Sequence, residues 1–370
     1  MSVAALDPLT TATTDHRAVE RRVAGMRRAC ALGGVVALVL FPLVLDAIDR
    51  PSYLTAAVYG LILGLAAISL VVLLGYVGQV SLAQFAFMGI GALAVSRTAP
   101  HIGYWASLPI AGLVAVPAGL VAAVPALRLR GIYLAIATLG FSQAVTAAVL
   151  LNPTLADGTL IHVDPPSLFG RAFSSSLSSR TALYFVDLLA VALAATFTLA
   201  LRHRKTGLAF TAVRDSELAA SSVGINVTKY KLIAFALSSF YAGVAGGLYL
   251  ALFPTVDPRF FDALQGSIPL LIVLVVGGVT SIGGALLASF LYAMTPLLLP
   301  QVINGGLHTV GVGGAFNPDL TIALFGVLLI RALVTTPNGI VGELDRRLRL
   351  IATRREHRVV QPALRGQSVP

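Results

Sequence analysis

Residues 267–300 read SIPLLIVLVVGGVTSIGGALLASFLYAMTPLLLP, 34 residues without a single charge. As one helix rising about 1.5 Å per residue they would be roughly 50 Å long, too long for a hydrocarbon core of about 30 Å. Gly277, Gly278, Gly283 and Gly284 divide the stretch. It therefore reads as a short element to about Thr280, a glycine break, and a second element from Ala285 to Leu299.

Working outward, similar apolar runs lie near 29–47, 53–74, 81–97, 106–127, 132–151, 181–201, 232–253 and 320–335. The chain is 57% hydrophobic and 11% charged, against roughly a quarter charged in soluble domains, which excludes a soluble globular protein. The runs are continuous rather than alternating, so helices are expected and not a barrel. The expected fold is an all-α, polytopic transmembrane bundle of about ten membrane segments with glycine-broken helices.

Charge orients it, because basic residues in short flanking loops favour the cytoplasm. Ten segments place 21 Lys and Arg on one side, including Arg128, Arg130, Arg214 and Lys231, and leave five on the other: Arg50, Arg97, Arg171, Arg180 and Arg259. A single crossing at 267–300 would send the basic tail outward, so ten is preferred, with both termini cytoplasmic. The net charge of +10 then reflects topology rather than nucleic-acid binding. The expected organisation is a basic cytoplasmic arm (1–28), an uncleaved transmembrane domain (29–335) and a basic cytoplasmic tail (336–370). The domain carries an outer loop at 152–180 and a cytoplasmic loop at 202–231. Tyr104, Trp105, Tyr184 and Tyr249 fall near the outer interface, where aromatic rings are favoured. The basic tails are expected to meet anionic membrane lipid.

No phosphate loop, nucleophile elbow or metal-ligand spacing is present, and the six histidines never pair at ligand spacing. One cysteine, Cys30, excludes a Cys-based cluster. No metal or other cofactor is expected in this chain, and no catalytic residue. Asp187 is the one clear carboxylate in a span; about six residues in from the outer end, it reads as a water-facing rim position rather than a proton relay.

Four stretches carry polar or glycine signals. In GYVGQVSLAQ (75–84), Gly75 and Gly78 interrupt an apolar run, and Gln79, Ser81 and Gln84 must face protein or water. A broken helix lining a cavity fits, as does close packing with amides bonded across helices. GIYLAIATLGFSQ (131–143) adds Thr138, which can line a path or bond back to its own helix. In RDSELAASSVGI (214–225) the small residues make a thin helix, with Glu217 early and Gly224 as its stop; it could dock on a partner or lie along the membrane. VVGGVTSIGGA (275–285) is the break itself. Aligning Gly75 with Gly277 hints at a parallel internal repeat, and Gly243-x-x-x-Gly247 reads as a packing face.

In this order these segments resemble the permease family of branched-chain amino-acid ABC importers, LivM-type subunit. The resemblance runs from about Leu70 to Val334 through GYVGQVSLAQFAFMGIGAL, LRGIYLAIATLGF, AVRDSELAASSVGINVTKYKLIAF and SIPLLIVLVVGGVTSIGGA, with the outer ADGTLIHVDPPSLFG. It implies a pore-forming, multi-pass subunit of the cell membrane that imports branched-chain or other small neutral amino acids by alternating access. The implied partners are a second related permease, two cytoplasmic ATPases that hold ATP-Mg, and an extracytoplasmic binding protein. Arg214, Glu217, Ala219, Ala220 and Gly224 would match the ATPase-coupling loop. Gly75, Gly78, Gln79, Ser81, Gln84, Thr138, Gly277 and Gly278 would belong to the translocation path. Related permeases carry urea and short amides, and an ATP-independent carrier or channel is the rival outside this class.

Overall fold

A computed structural model describes residues 51–152, 160–164, 166–168, 171–172 and 177–309, together with 25, 33–34, 36–42, 339 and 342–343. The expected segment at 320–335, most of the arm, most of the tail and part of the 29–47 run lie outside the described residues.

The chain is mostly helical. Helix α1 (Pro51–Leu70) runs on as a π-helical turn (Val71–Tyr76), and after an extended link α2 covers Gln84–Ile102. Then come α3 (Tyr104–Ala126), α4 (Ile132–Val145, extended by a π turn to Leu150) and α5 (Leu177–Arg202). Two short helices, α6 (Lys205–Asp215) and α7 (Glu217–Ser222), precede α8 (Val227–Leu252). The last are α9 (Ile268–Gly277) and α10 (Ile282–Thr309). Among the described residues, α1 with its turn, α3, α4 with its turn, α5 and α8 are each long and apolar enough to cross a membrane.

Side-chain exposure fits lipid surroundings. Leu113 and Val121 on α3, Ile136 on α4 and Leu189 and Leu193 on α5 are all exposed, where water would penalise them. Helix α1, apolar all round, is instead buried among α5, α8 and α10.

Small residues set the closest approaches. A Cβ on Gly91 of α2 would stand 2.0 Å from Gly243 O of α8, and one on Gly246 1.8 Å from Met88 O. Gly243 also faces Ala111 O of α3, and Gly247 faces Leu108 and Val95. The glycine face of α8 thus lets two neighbouring backbones touch it, as small residues do between membrane helices.

Four differences from the sequence reading appear. The fold is not purely helical: β1 (Ile161–His162) pairs antiparallel with β4 (Thr255–Val256), and β2 (Ser167–Leu168) with β3 (Arg171–Ala172). The β1–β4 pair ties the 152–180 loop to the segment after α8. The second half of 267–300 begins at Ile282, not Ala285, and extends to Thr309, because Ser281 rather than the glycine pair heads it, its Oγ accepting from Gly284 N.

Tyr104, Tyr184 and Tyr249 are buried inside the bundle rather than spread at a lipid interface. Each finds a protein partner: the Tyr104 hydroxyl donates to Gly247 O, that of Tyr184 to Leu38 O at 2.7 Å, and Tyr249 stacks on Phe260. Asp187 is fully buried, not at a watery rim. It shares the inward stripe of α5 with Leu183, Tyr184, Val191 and Ala194, a 3–4 spacing that fixes its face where counting depth gives only its level.

Candidate translocation and coupling site

The link between α1 and α2 is built by glycine and hydroxyls. Gly78 adopts φ +75°, a left-handed turn that other residues resist. From there the chain returns into the bundle, and α2 starts at Gln84 with the backbone donors around its start held by hydroxyl side chains. Leu82 N donates to Thr138 Oγ1 of α4 at 3.0 Å, Phe85 N to Ser267 Oγ at 3.0 Å, and Ala83 N to Ser81 Oγ at 3.3 Å. Ser69 Oγ and Ser238 Oγ donate to Gln84 Oε1 at 2.8 and 3.4 Å. Thr138 also bonds back to Leu134 O, so it does both things its sequence context allowed. Ser81, Gln84 and Thr138 therefore meet at one buried junction. Ser69, Ser238 and Ser267 complete it, and nothing in the sequence marks those serines apart.

Gln84 Nε2 at this junction and Gln79 Oε1 on the link find no hydrogen-bond partner among the described residues. Gln79 and Gly78 line a cleft of about 160 Å³ together with Arg130, Arg214, Asp215 and Glu217. A second cavity, of about 80 Å³ and mostly apolar, lies between Tyr59, Leu63, Phe85, Phe260, Gln265 and Tyr292; none of the expected path residues lines it.

Gly75, Gly277 and Gly278 occupy backbone contacts instead. A Cβ on Gly75 would meet Val279 O at 2.3 Å, and one on Gly277 would meet Gly284 O at 2.3 Å. Gly278 ends α9 with φ +109° and packs against the buried backbone of Gly339. The two glycine breaks that align in sequence thus lie against each other. Their glycines here serve close packing.

Beyond them, α6 and α7 form a charged joint. Ser216 caps α7, its side chain accepting from Ala219 N at 3.2 Å. Gly224, at φ +84°, closes α7 with Ile225 N donating to Ala220 O at 3.0 Å. Ala220 is buried; Ala219, Leu218 and Val223 face out, the last two among the most exposed large apolar side chains.

Glu217 faces inward. Its Oε1 pairs with Lys231 Nζ of α8 at 2.8 Å and its Oε2 with Arg130 Nη2 at 2.8 Å. Lys231 is fully buried and also donates to Ala126 O, the last residue of α3, at 2.8 Å. Arg214 Nη1 donates to Gly75 O at 2.6 Å. Sequence reasoning used Arg130 and Lys231 only as topology charges. Among the described residues no group of three or more His, Cys, Asp or Glu stands close enough to hold a metal ion.

Apolar helices of membrane-spanning length, two apposed glycine breaks, a polar junction inside the bundle and a charged helical joint at one end define a helical membrane protein. The family described as branched-chain amino acid transport system / permease component matches residues 52–333, and the chain belongs to it. It is 32% identical over 304 residues to the high-affinity branched-chain amino acid transport system permease protein LivM of Salmonella typhimurium, covering 76% of this chain and 67% of that one. The LivM protein of Escherichia coli is similar to the same extent. The probable permease protein LivH of Methanocaldococcus jannaschii is 31% identical over 144 residues, 39% of this chain and 43% of its own. No solved structure matches.

Proposed function

We propose that the chain is the membrane-spanning permease subunit of an ATP-driven importer for branched-chain or other small neutral amino acids. It works beside a second, related permease. Two cytoplasmic ATPases hold ATP-Mg, and an extracytoplasmic binding protein delivers substrate; both termini of this chain lie in the cytoplasm of a cell in whose plasma or inner membrane it sits. This chain carries out no hydrolysis itself.

The observation that carries the reading is the joint at α6 and α7, supported by the family to which the chain belongs. A short helical pair with outward Leu218, Ala219 and Val223 offers a surface to a cytoplasmic partner. Its residues Arg214 and Glu217 bond to membrane helices, at Gly75 O and Lys231. ATP-driven closure of the partner displaces the pair, and the packed helices rock between two arrangements. Ala220 seats the pair on the bundle, and Gly224 lets the chain turn back into α8. The polar groups around Gly78, Gln79, Ser81, Gln84 and Thr138 lie beside the route that opens.

The test is uptake of labelled leucine by cells lacking the gene and by restored cells, with excess isoleucine, valine, alanine or urea. Uptake that returns with the gene, yields to isoleucine and valine, and stops on ATP depletion supports the proposal. Uptake indifferent to the gene removes the substrate assignment and makes urea and amides the next candidates. Uptake that persists without ATP but collapses with an ionophore removes the ATP-driven mechanism.

A further inference from the structure

The joint grips the membrane helices through two residues of its own, and each grip ends on a helix C-terminus. Arg214 holds the Gly75 carbonyl, in the π turn where α1 ends. Glu217 holds Lys231, which holds the Ala126 carbonyl at the end of α3. The last carbonyls of a helix lack intrahelical partners and carry partial negative charge, so a cation there is favoured.

The two partners of Glu217 are not equivalent. The Arg130 side chain is 62% exposed, whereas that of Lys231 is 1% exposed. An exposed pair exchanges readily with water and is worth little. The buried Lys231 ammonium has no water to exchange with, and removing Glu217 would leave it only the Ala126 carbonyl.

We propose that Lys231 is a positioning residue for transport. Resting on the importer reading above, it passes displacement of Glu217 in α7 to the cytoplasmic end of α3, while the Glu217–Arg130 pair is dispensable. Helix α3 follows because it packs along α8, which carries Lys231 itself, with Gly243 against Ala111 O. Movement at one carboxylate thereby reaches two packed helices.

The test uses the assembled transporter, purified through a tag on this chain and placed in proteoliposomes, with leucine uptake and ATP hydrolysis measured on the same sample. Lys231→Met lowers leucine imported per ATP hydrolysed by at least about fivefold, the lower end of usual coupling effects, while hydrolysis continues. Lys231→Arg, which keeps the charge and donors, restores most of the ratio, and Arg130→Gln leaves it within about twofold. Should Lys231→Met fail to assemble, the double variant Glu217→Gln with Lys231→Met removes both charges, strands neither, and shows the same uncoupling. A normal ratio in either variant overturns the proposal, as does an equal fall of uptake and hydrolysis in the double variant, or an Arg130→Gln loss as large as that of Lys231→Met. Failure of the unaltered complex to import leucine or hydrolyse ATP instead defeats the importer reading, before any variant is compared.

Discussion

Gly246→Ala adds one methyl group where α8 meets α2, and the structure sets its cost. The new Cβ would stand 1.8 Å from Met88 O, 2.5 Å from Met88 C and 2.8 Å from Met88 Cα. All three are backbone atoms, so no side chain can rotate away. Ordinary contact begins near 3.4 Å, and α2 would have to withdraw by about 1.6 Å, in the range where overpacking costs roughly 1–3 kcal/mol. Withdrawal from α8 also stretches the bond from Ser238 Oγ of α8 to Gln84 Oε1 of α2, already 3.4 Å long. Losing it adds about 1 kcal/mol, for a total of roughly 2–4 kcal/mol. Thermal unfolding of the purified chain in detergent should fall by about 5 °C or more, at a few degrees per kcal/mol. Gly140→Ala is the control: it is helical, nothing among the described residues lies within 4 Å of its added Cβ, and Ala is the better helix former by about 1 kcal/mol. Its melting temperature should hold or rise. Equal melting of Gly246→Ala and the unaltered chain would refute the close approach of α2 and α8.

Thr138→Val keeps the shape but leaves Leu82 N without its acceptor, so melting shows a loss of about 1–3 kcal/mol, while Thr138→Ser keeps the bond and most of the stability; equal losses would deny the cap. Asp187→Leu replaces a carboxyl whose two buried oxygens find no hydrogen-bond partner among the described residues with an apolar side chain of similar size. Since unpaired buried polar atoms are costly, its melting temperature should rise, and a fall would mean that the carboxyl has a stabilising role. Tyr104→Phe loses the hydroxyl that donates to Gly247 O and should cost about 0.5–1.5 kcal/mol in the same assay; no change would show that the bond contributes nothing.

How far the sequence carries depends on the range of the signal. The stop of α7 at Gly224 and the break at Gly277 and Gly278 are local, written in residues whose backbone preferences act within a turn, although α9 ends at Gly277 rather than near Thr280. The glycine face of α8 was legible because the spacing of Gly243 and Gly247 puts them on one side of a helix. The partners of Glu217 were not. Arg130 lies 87 residues before it and Lys231 on another helix, and both have the composition of ordinary flanking charges. Ser267 is equally silent: a serine at the head of an apolar run becomes a cap only when the fold lays it against α2. Asp187 failed for another reason. Its depth could be counted, but its face depended on which stripe of α5 meets α1.

The location of Gly75 joins features that the sequence presents separately. Its carbonyl is held by Arg214 of the joint, while its missing side chain admits Val279 O from the second break. One residue therefore touches both α6 and the α9–α10 turn, and it sits in a π turn, a local widening often found at functional positions. A larger residue at 75 would push the second break away without touching Arg214. Loss of Arg214 would free the carbonyl without altering the packing. The two perturbations separate the functions of one position: if the π turn relays motion from the joint to the second break, both must impair transport, yet only the first should lower thermal stability by overpacking. A Gly75 whose role is packing alone would leave transport intact when Arg214 is replaced by Gln.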